Sequence, residues 1–510
     1  MERDSHKTTA RRAGADRATT DARAELGSRS AAALVFGSSA AVLVVELVAL
    51  RLLAPHYGLT LETSTLVIGL ALTAIALGSW AGGRAADLVP PRQLLGPLLA
   101  ISGVAVAATP FLVRGAAATG EAGLLLFTTM LTILVPGALL SAVTPVTIKL
   151  RLTSLHETGT VVGRLSGIGT VGAIAGTVIT GFVLISRVPV SAILVGLGIL
   201  LVVTSVLVHA RNGRARGVVM AAIGVGLAAT GAVAVPGGCD VETTYHCLSI
   251  ETDPARGTGR ILVLDGLQHS YVDLEDPTYL DFEYVQAMAS VVDTAFPRRE
   301  PVRAYHLGGG GLTLPRYLDV ARPGTRSLVF EIDAGVVQVD TERLGQELGE
   351  GIDVRVGDGR LVLDDLHGAD FDVVVGDAFG GVSVPWHLTT VEAVGGIRRA
   401  LADDGVYVAN LIDHGRLAFA RAAVATIAEQ FDHVVLLSDP DVLAGDDGGN
   451  LVAVASASPV DTAALTERMA DRETGWDQLT GAELRAWVGN APVLNDDYAP
   501  VDQLLTPYDS

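Results

Sequence analysis

Apolar and polar positions divide the chain into two regimes that meet near residue 240. Before that point, seven apolar stretches run at about 31–53, 64–83, 94–113, 122–145, 165–186, 189–210 and 217–236. Each holds about 20 residues, enough helix to cross roughly 30 Å of hydrocarbon with every backbone polar group satisfied internally. After that point, short apolar runs alternate with amphipathic stretches, the pattern of a parallel sheet with crossover helices. The runs are VRAYHL (302–307), SLVFEID (327–333), IDVRVGDG (352–359), FDVVVGDAF (371–379) and GVYVANLID (405–413), followed by the pair FDHVVLLS and LVAVASA. Between the regimes, TTYHCLSIE, GRILVLDG and HSYVDL alternate residue by residue with turn signals between them, which predicts a small β-hairpin subdomain. The expected organisation is a polar tail over 1–30, a multi-pass α-helical membrane domain over 31–236, a β-rich lead segment over 237–300 and a Rossmann-like α/β domain over 301–510. The tail is rich in Arg, Ala and Thr and lacks the apolar core of a signal peptide, so it reads as disordered.

Composition sharpens this division. Hydrophobic residues make up 49% of the 510, a high share for a soluble protein of this size. Up to Cys239 there are 18 Lys and Arg against 10 Asp and Glu, and from Asp240 onward 18 against 46. So acidic a second half excludes a nucleic-acid partner, which needs clustered basic residues. Basic residues also alternate along the apolar half. Seven lie in the tail, then Arg84 and Arg92, then Lys149, Arg151 and Arg164, then Arg211, Arg214 and Arg216, while the opposite side holds only Arg51, Arg114 and Arg187. This bias places the N-terminus in the cytoplasm of a cell-membrane protein; by the same rule an odd number of spans carries the C-terminal domain to the outer face, and a miscounted span would leave it inside, so its side stays open. Glu46 and Glu62 fall at or inside spans, where carboxylates are costly and mark function or an ion pair such as Glu46 with Arg51. Gly167, Gly169, Gly172, Gly176 and Gly181 in the fifth span predict close helix packing. The two cysteines, Cys239 and Cys247, exclude a Cys-rich metal site and leave one short-loop disulfide open.

The candidate chemistry lies in the acidic half. Gly308, Gly309, Gly310 and Gly311 follow the first strand of the predicted sheet, where missing side chains let a ligand approach the backbone. Glu331 ends the next strand, at the position from which an acid reaches ribose hydroxyls in such folds. Asp358 and Gly359 end the third. Together these strand ends form a crevice at the carboxyl edge of the sheet.

From about 260 to 415 these motifs resemble the spermidine synthase family of aminopropyltransferases, in its membrane-fused branch. LDGLQ (264–268) is similar to the family's LDG-x-Q, and GGGG followed by Arg316 to its GGGDGGTLR loop. The resemblance implies a class I methyltransferase-like fold, with Gln268, Gly308, Gly309, Gly310, Glu331, Asp358 and Gly359 binding the adenosyl donor. VVVGDAF aligns Asp377 with the family's catalytic base, and Tyr279 with the tyrosine of DE-x-x-YHE. Three positions depart from the pattern: Leu280 stands where His or Gln is usual, Gly311 where the loop has Asp, and Gly380 where the second Asp of D-S-S-D stands. All three fall on the side of the acceptor amine. SVPWHLTT (383–390) and NDDYAPVD (495–502) resemble further segments of the same branch, and Trp386 and His387 are candidates to line the acceptor pocket.

The leading expectation is therefore a transferase that moves aminopropyl from decarboxylated S-adenosylmethionine to an amine such as putrescine and releases methylthioadenosine. It would need no metal and no tightly bound cofactor. An ionised Asp377 would take the proton that keeps the amine from acting as a nucleophile. Two other readings stand beside it: methyl transfer from S-adenosylmethionine on the same fold, and a non-catalytic nucleoside sensor coupled to the membrane half. The implied partners are a small amine, the adenosyl donor and the lipid bilayer, with a homo-oligomer left open.

Overall fold

The computed structural model describes residues 27–57, 61–152, 158–185, 187–210, 239–345 and 349–506. The long apolar helices fall in one compact unit and Cys239–Ser510 in a second. The first unit holds α1 Ser28–Tyr57, α2 Leu61–Leu88, α3 Pro91–Ala117, α4 Ala122–Arg151, α5 Thr158–Ile179 and α6 Val190–Ala210. These six are long and apolar enough to cross a membrane. The sequence predicted seven spans, and the seventh, at 217–236, lies outside the described residues, as does most of the polar tail. A Cβ on Gly172 would lie 2.3 Å from the main-chain oxygen of Phe36, and one on Gly176 would lie 2.6 Å from that of Ala40. Helices α5 and α1 therefore approach as closely as small residues allow. Gly167 and Gly181 have nothing within 4 Å of such an atom, so only part of the glycine run forms the packing seam.

The second unit opens with a four-stranded antiparallel sheet, wider than the predicted hairpin. It comprises β1 Val241–Glu242, β2 Cys247–Thr252, β3 Gly259–Leu264 and β4 Leu267–Asp273, in that order. The turn from β3 to β4 is Asp265–Gly266, both with positive φ, as a two-residue hairpin of matching twist requires. Its Asp265 carboxylate accepts from the Cys247 N–H and meets His246 Nδ1, each at 2.9 Å. Cys239 and Cys247 form a disulfide with their Cα atoms 5.4 Å apart.

An eight-stranded sheet follows, made of β5 Arg303–Leu307, β6 Arg326–Glu331, β7 Ile352–Val356, β8 Phe371–Gly376, β9 Leu401–Asp413, β10 His433–Ser438, β11 Gly449–Ser456 and β12 Asp477–Thr480. Its order is β12-β10-β11-β9-β8-β5-β6-β7. Strands β5 to β9 pair in parallel, and β10, β11 and β12 extend the sheet antiparallel. The sequence did not foresee β12, because DQLT is short and mostly polar. Strand order reverses beside β5, and such a switch point opens a crevice at the carboxyl ends of β5 and β8. The FDVVVGD run is apolar on consecutive positions because both faces of β8 are covered. Val373 and Val375 pack with α7 (Glu283–Ala295) on one face, and Val374 packs with α8 (Ala418–Ala428) on the other.

Arg322, 1% exposed, closes the end of α7. Its guanidinium donates to the carbonyl oxygens of Val292, Phe296, Pro297 and Glu300 and to the Asp293 carboxylate. The Val292 and Pro297 carbonyls also accept from Phe296 N–H and Glu300 N–H, while a helix terminus leaves its last carbonyls short of intrahelical donors. Replacing Arg322 with Ala leaves the Phe296 and Glu300 carbonyls without these donors, while Asp293 keeps Arg472 and Tyr317, a loss of about 1–3 kcal/mol. The expected outcome is a clear fall in the thermal midpoint of the C-terminal unit, followed by circular dichroism, and an unchanged midpoint would contradict this account.

Candidate active site

The crevice is built around a backbone contact. Gly308 ends β5 with φ +98°, and a Cβ there would lie 2.2 Å from the main-chain oxygen of Asp377. Only glycine fits both that dihedral and that approach. The next two amides are committed to a carboxylate: Gly309 N–H and Gly310 N–H donate to Glu331 Oε2 at 2.9 and 3.2 Å. Asp333 N–H donates to Glu331 Oε1 at 2.9 Å. Glu331 thus locks the glycine turn to the end of β6. Gly311 N–H donates to Ser270 Oγ at 2.9 Å. A Cβ at Gly311 would lie 2.8 Å from Val272 Cγ2, so strand β4 occupies the space that the Asp of the resembled loop would need.

These residues border a cavity of about 850 Å³. Gln268, Gly308, Gly309, Gly310, Glu331, Asp358, Gly359 and Asp377 all line it. Asp358 accepts from Arg360 N–H through Oδ1 and meets His387 Nε2 at 3.0 Å through Oδ2. His387 also lines the cavity, whereas Trp386 does not and is 49% exposed. Tyr279 is not brought to the cavity. Its hydroxyl donates to Asp281 Oδ1 at 3.0 Å, and its ring lies 3.8 Å from the Arg256 guanidinium carbon. The tyrosine that reaches the cavity is Tyr284, in the first turn of α7. The correction follows from where the helix starts: the EDPTYLD segment precedes α7, and FEYV is its first turn.

Around Asp377 a chain of polar side chains runs across the sheet. Asn450 Nδ2 donates to Asn410 Oδ1 at 2.9 Å, and Asn410 Nδ2 donates to Asp377 Oδ1 at 2.8 Å. The Tyr284 hydroxyl donates to the His269 carbonyl at 3.3 Å and also reaches the Asp377 carboxylate. Burial pushes the Asp377 carboxyl from 3.8 up to about 6, against the pull of its bonds from Asn410 and Tyr284. Tyr284 is held well above its ordinary value by burial and then by the charge of Asp377. Burial also brings His269 down to about 4. The sequence reading missed Tyr284, Asn410 and Asn450. A polar signal was present, since Asn410 interrupts the apolar run VYVANLI.

The raised Asp377 pKa has a stability consequence whose sign is definite. Between about pH 4 and 6 the folded chain keeps a proton that the unfolded chain has released, so stability falls as pH rises through that window. The penalty is complete above pH 6. Asp377→Asn, neutral and of the same shape, is expected to have a higher thermal midpoint than the natural protein at pH 7.5 and to lose that advantage below pH 4. Midpoints measured at the two pH values check both halves.

No protein-family model matches the chain. It is 30% identical over 120 residues to the polyamine aminopropyltransferase of Vibrio vulnificus (strain CMCP6), covering 23% of this chain and 40% of that protein. It is 28% identical over 143 residues to the polyamine aminopropyltransferase of Chromobacterium violaceum, covering 28% and 53% respectively. The chain therefore spans about half the length, or less, of these curated relatives. Among solved structures, a probable spermidine synthase from Corynebacterium glutamicum is 28% identical, with a TM-score of 0.47 over 49% of this chain and 94% of that one. Over these 120 to 143 residues the chain is similar to polyamine aminopropyltransferases.

Proposed function

We propose that the C-terminal unit transfers an aminopropyl group from decarboxylated S-adenosylmethionine to an aliphatic amine. The observation that carries this reading is the charge of the cavity. Among the described residues its lining holds seven carboxylates, Glu331, Asp377 and Asp447 among them, and neither Lys nor Arg. A donor bearing a sulfonium and an ammonium matches such a wall. S-adenosylmethionine would add a carboxylate, and two like charges about 6 Å apart cost about 3 kcal/mol at an effective dielectric near 20. Two amides of the glycine turn that could offset that charge already serve Glu331.

In this reading Gln268, Glu331, Asp358 and Gly359 hold the adenosyl moiety, and Glu331 keeps lone pairs free for the ribose. Asp377 accepts a proton from the amine. The freed lone pair forms the new C–N bond as the C–S bond breaks, and the electron pair leaves on sulfur as neutral methylthioadenosine. A base with a pKa near 6 is ionised at neutral pH yet still withdrawn from water. Tyr284, rather than Tyr279, stands where the amine would be oriented.

The test is methylthioadenosine release by the full-length chain in detergent, with putrescine as acceptor and each donor in turn. Release is expected with decarboxylated S-adenosylmethionine alone, falling on the acid side of about pH 6 and dropping about 10²–10⁴-fold in Asp377→Asn. Formation of S-adenosylhomocysteine from S-adenosylmethionine would replace this reading with methyl transfer.

We further propose that this unit lies on the outer face of a cell membrane. The alternation of basic loops supports it, as does the Cys239–Cys247 disulfide, a bond that persists in oxidising compartments. Six crossings would return the chain to the side of its N-terminus, so the outer face requires an odd number of crossings. Alkylation of free thiols in intact cells before reduction is expected to leave both cysteines unlabelled, and labelling of both would place the unit in the cytosol.

A further inference from the structure

Strand β5 places Ala304, His306 and Gly308 on one face, because side chains alternate along a strand. Ala304 belongs to the apolar core shared with Val373, Val375 and Met288. His306 lies between Val329 of β6 and Val375 of β8 in the parallel register. It is 1% exposed and lines the cavity, and its Nε2 has no hydrogen-bond partner among the described residues. Asp377 follows Val375 by two residues, so it comes up on the same face as the imidazole, one step further along the neighbouring strand. Burial brings the His306 pKa down to about 3, which keeps the ring neutral and one nitrogen available as an acceptor.

Such a residue is costly. An unpaired polar group in an apolar floor costs about 1–3 kcal/mol, and an apolar side chain of similar size would avoid that loss. The attacking amine has the matching need. A protonated primary amine carries three N–H groups, of which Asp377 can take one proton. As the new C–N bond forms, positive charge develops on nitrogen and the remaining N–H groups require acceptors. Asn410 is already engaged on both sides, its oxygen accepting from Asn450 and its amide donating to Asp377. Val375 and Met288, which also line the cavity, are apolar.

We propose that His306 is a second contact for the acceptor amine, its Nε2 accepting a hydrogen bond from the nitrogen that Asp377 deprotonates. This rests on the aminopropyl-transfer reading and adds to it a residue that no motif in the chain marks. The role is binding and orientation, with no proton passed through the ring.

The experiment compares the full-length protein with His306→Leu, His306→Met and His306→Gln. It reads KM for putrescine, kcat, the dissociation constant of methylthioadenosine and the thermal midpoint. The two apolar variants should raise KM about tenfold, the worth of one hydrogen bond. They should leave methylthioadenosine binding within about twofold and keep or raise the midpoint. Gln, whose side-chain oxygen can accept, should recover most of the loss. Apolar variants with an unchanged KM and a higher midpoint would overturn the proposal and leave His306 as buried structure alone, as would an equal loss of methylthioadenosine affinity. Met covers the case in which Leu does not fold. Absence of methylthioadenosine release from the natural protein would overturn aminopropyl transfer itself and this contact with it. Turnover insensitive to His306 would remove only the contact.

Discussion

The approach of Asp377 to Gly308 is the constraint on which the acidic half of the protein depends. Two parallel strands end side by side at the switch point, and the main-chain oxygen of one takes the place where the other would carry a Cβ. That contact brings the Asp377 carboxyl to the cavity beside the glycine turn. It also leaves the amides after Gly308 free to bind Glu331, which ties the end of β6 to the same point. Three strand ends are thereby locked together by main-chain donors to one carboxylate.

Burial supplies the second ingredient. Asp377 lies where desolvation works against its charge, and the neutral donors Asn410 and Tyr284 only partly offset that effect. A carboxylate so placed is a better proton acceptor than one in water, because its ionised form is poorly stabilised until a cation arrives. The surrounding wall of carboxylates favours such a cation. Tertiary structure elsewhere is arranged to hold this geometry: Arg322 saturates the carbonyls after α7, the helix that carries Tyr284, and Asp265 anchors the first antiparallel sheet to the disulfide-bonded strand.

The long helices are governed by a different rule. Their apolar residues lie on all sides, and close approach of backbones selects the faces that meet. Gly172 and Gly176 show this against α1, while Gly167 and Gly181 lie in open space. The glycine content of α5 was evident in the sequence, but the face that meets a partner was not.

Period and punctuation in the sequence were enough to determine the two regimes, the strands from β5 to β11 and, on the cavity wall, the glycine turn with Glu331, Asp358 and Gly359. Burial on both faces writes a continuous apolar run such as FDVVV, and a turn that must pass a neighbouring backbone writes glycine. What only the tertiary structure decided was which polar residues share the cavity. Tyr284 lines the cavity and Tyr279 does not, because the start of α7 decides which side chain turns inward. Asn410 and Asn450 meet only through the antiparallel register of β9 and β11, a pairing between segments 40 residues apart. His306 looks like an ordinary strand residue until the sheet closes around it. Local pattern records the environment of each residue, whereas a site is made by residues distant in sequence, and their juxtaposition exists only once the strands have been ordered.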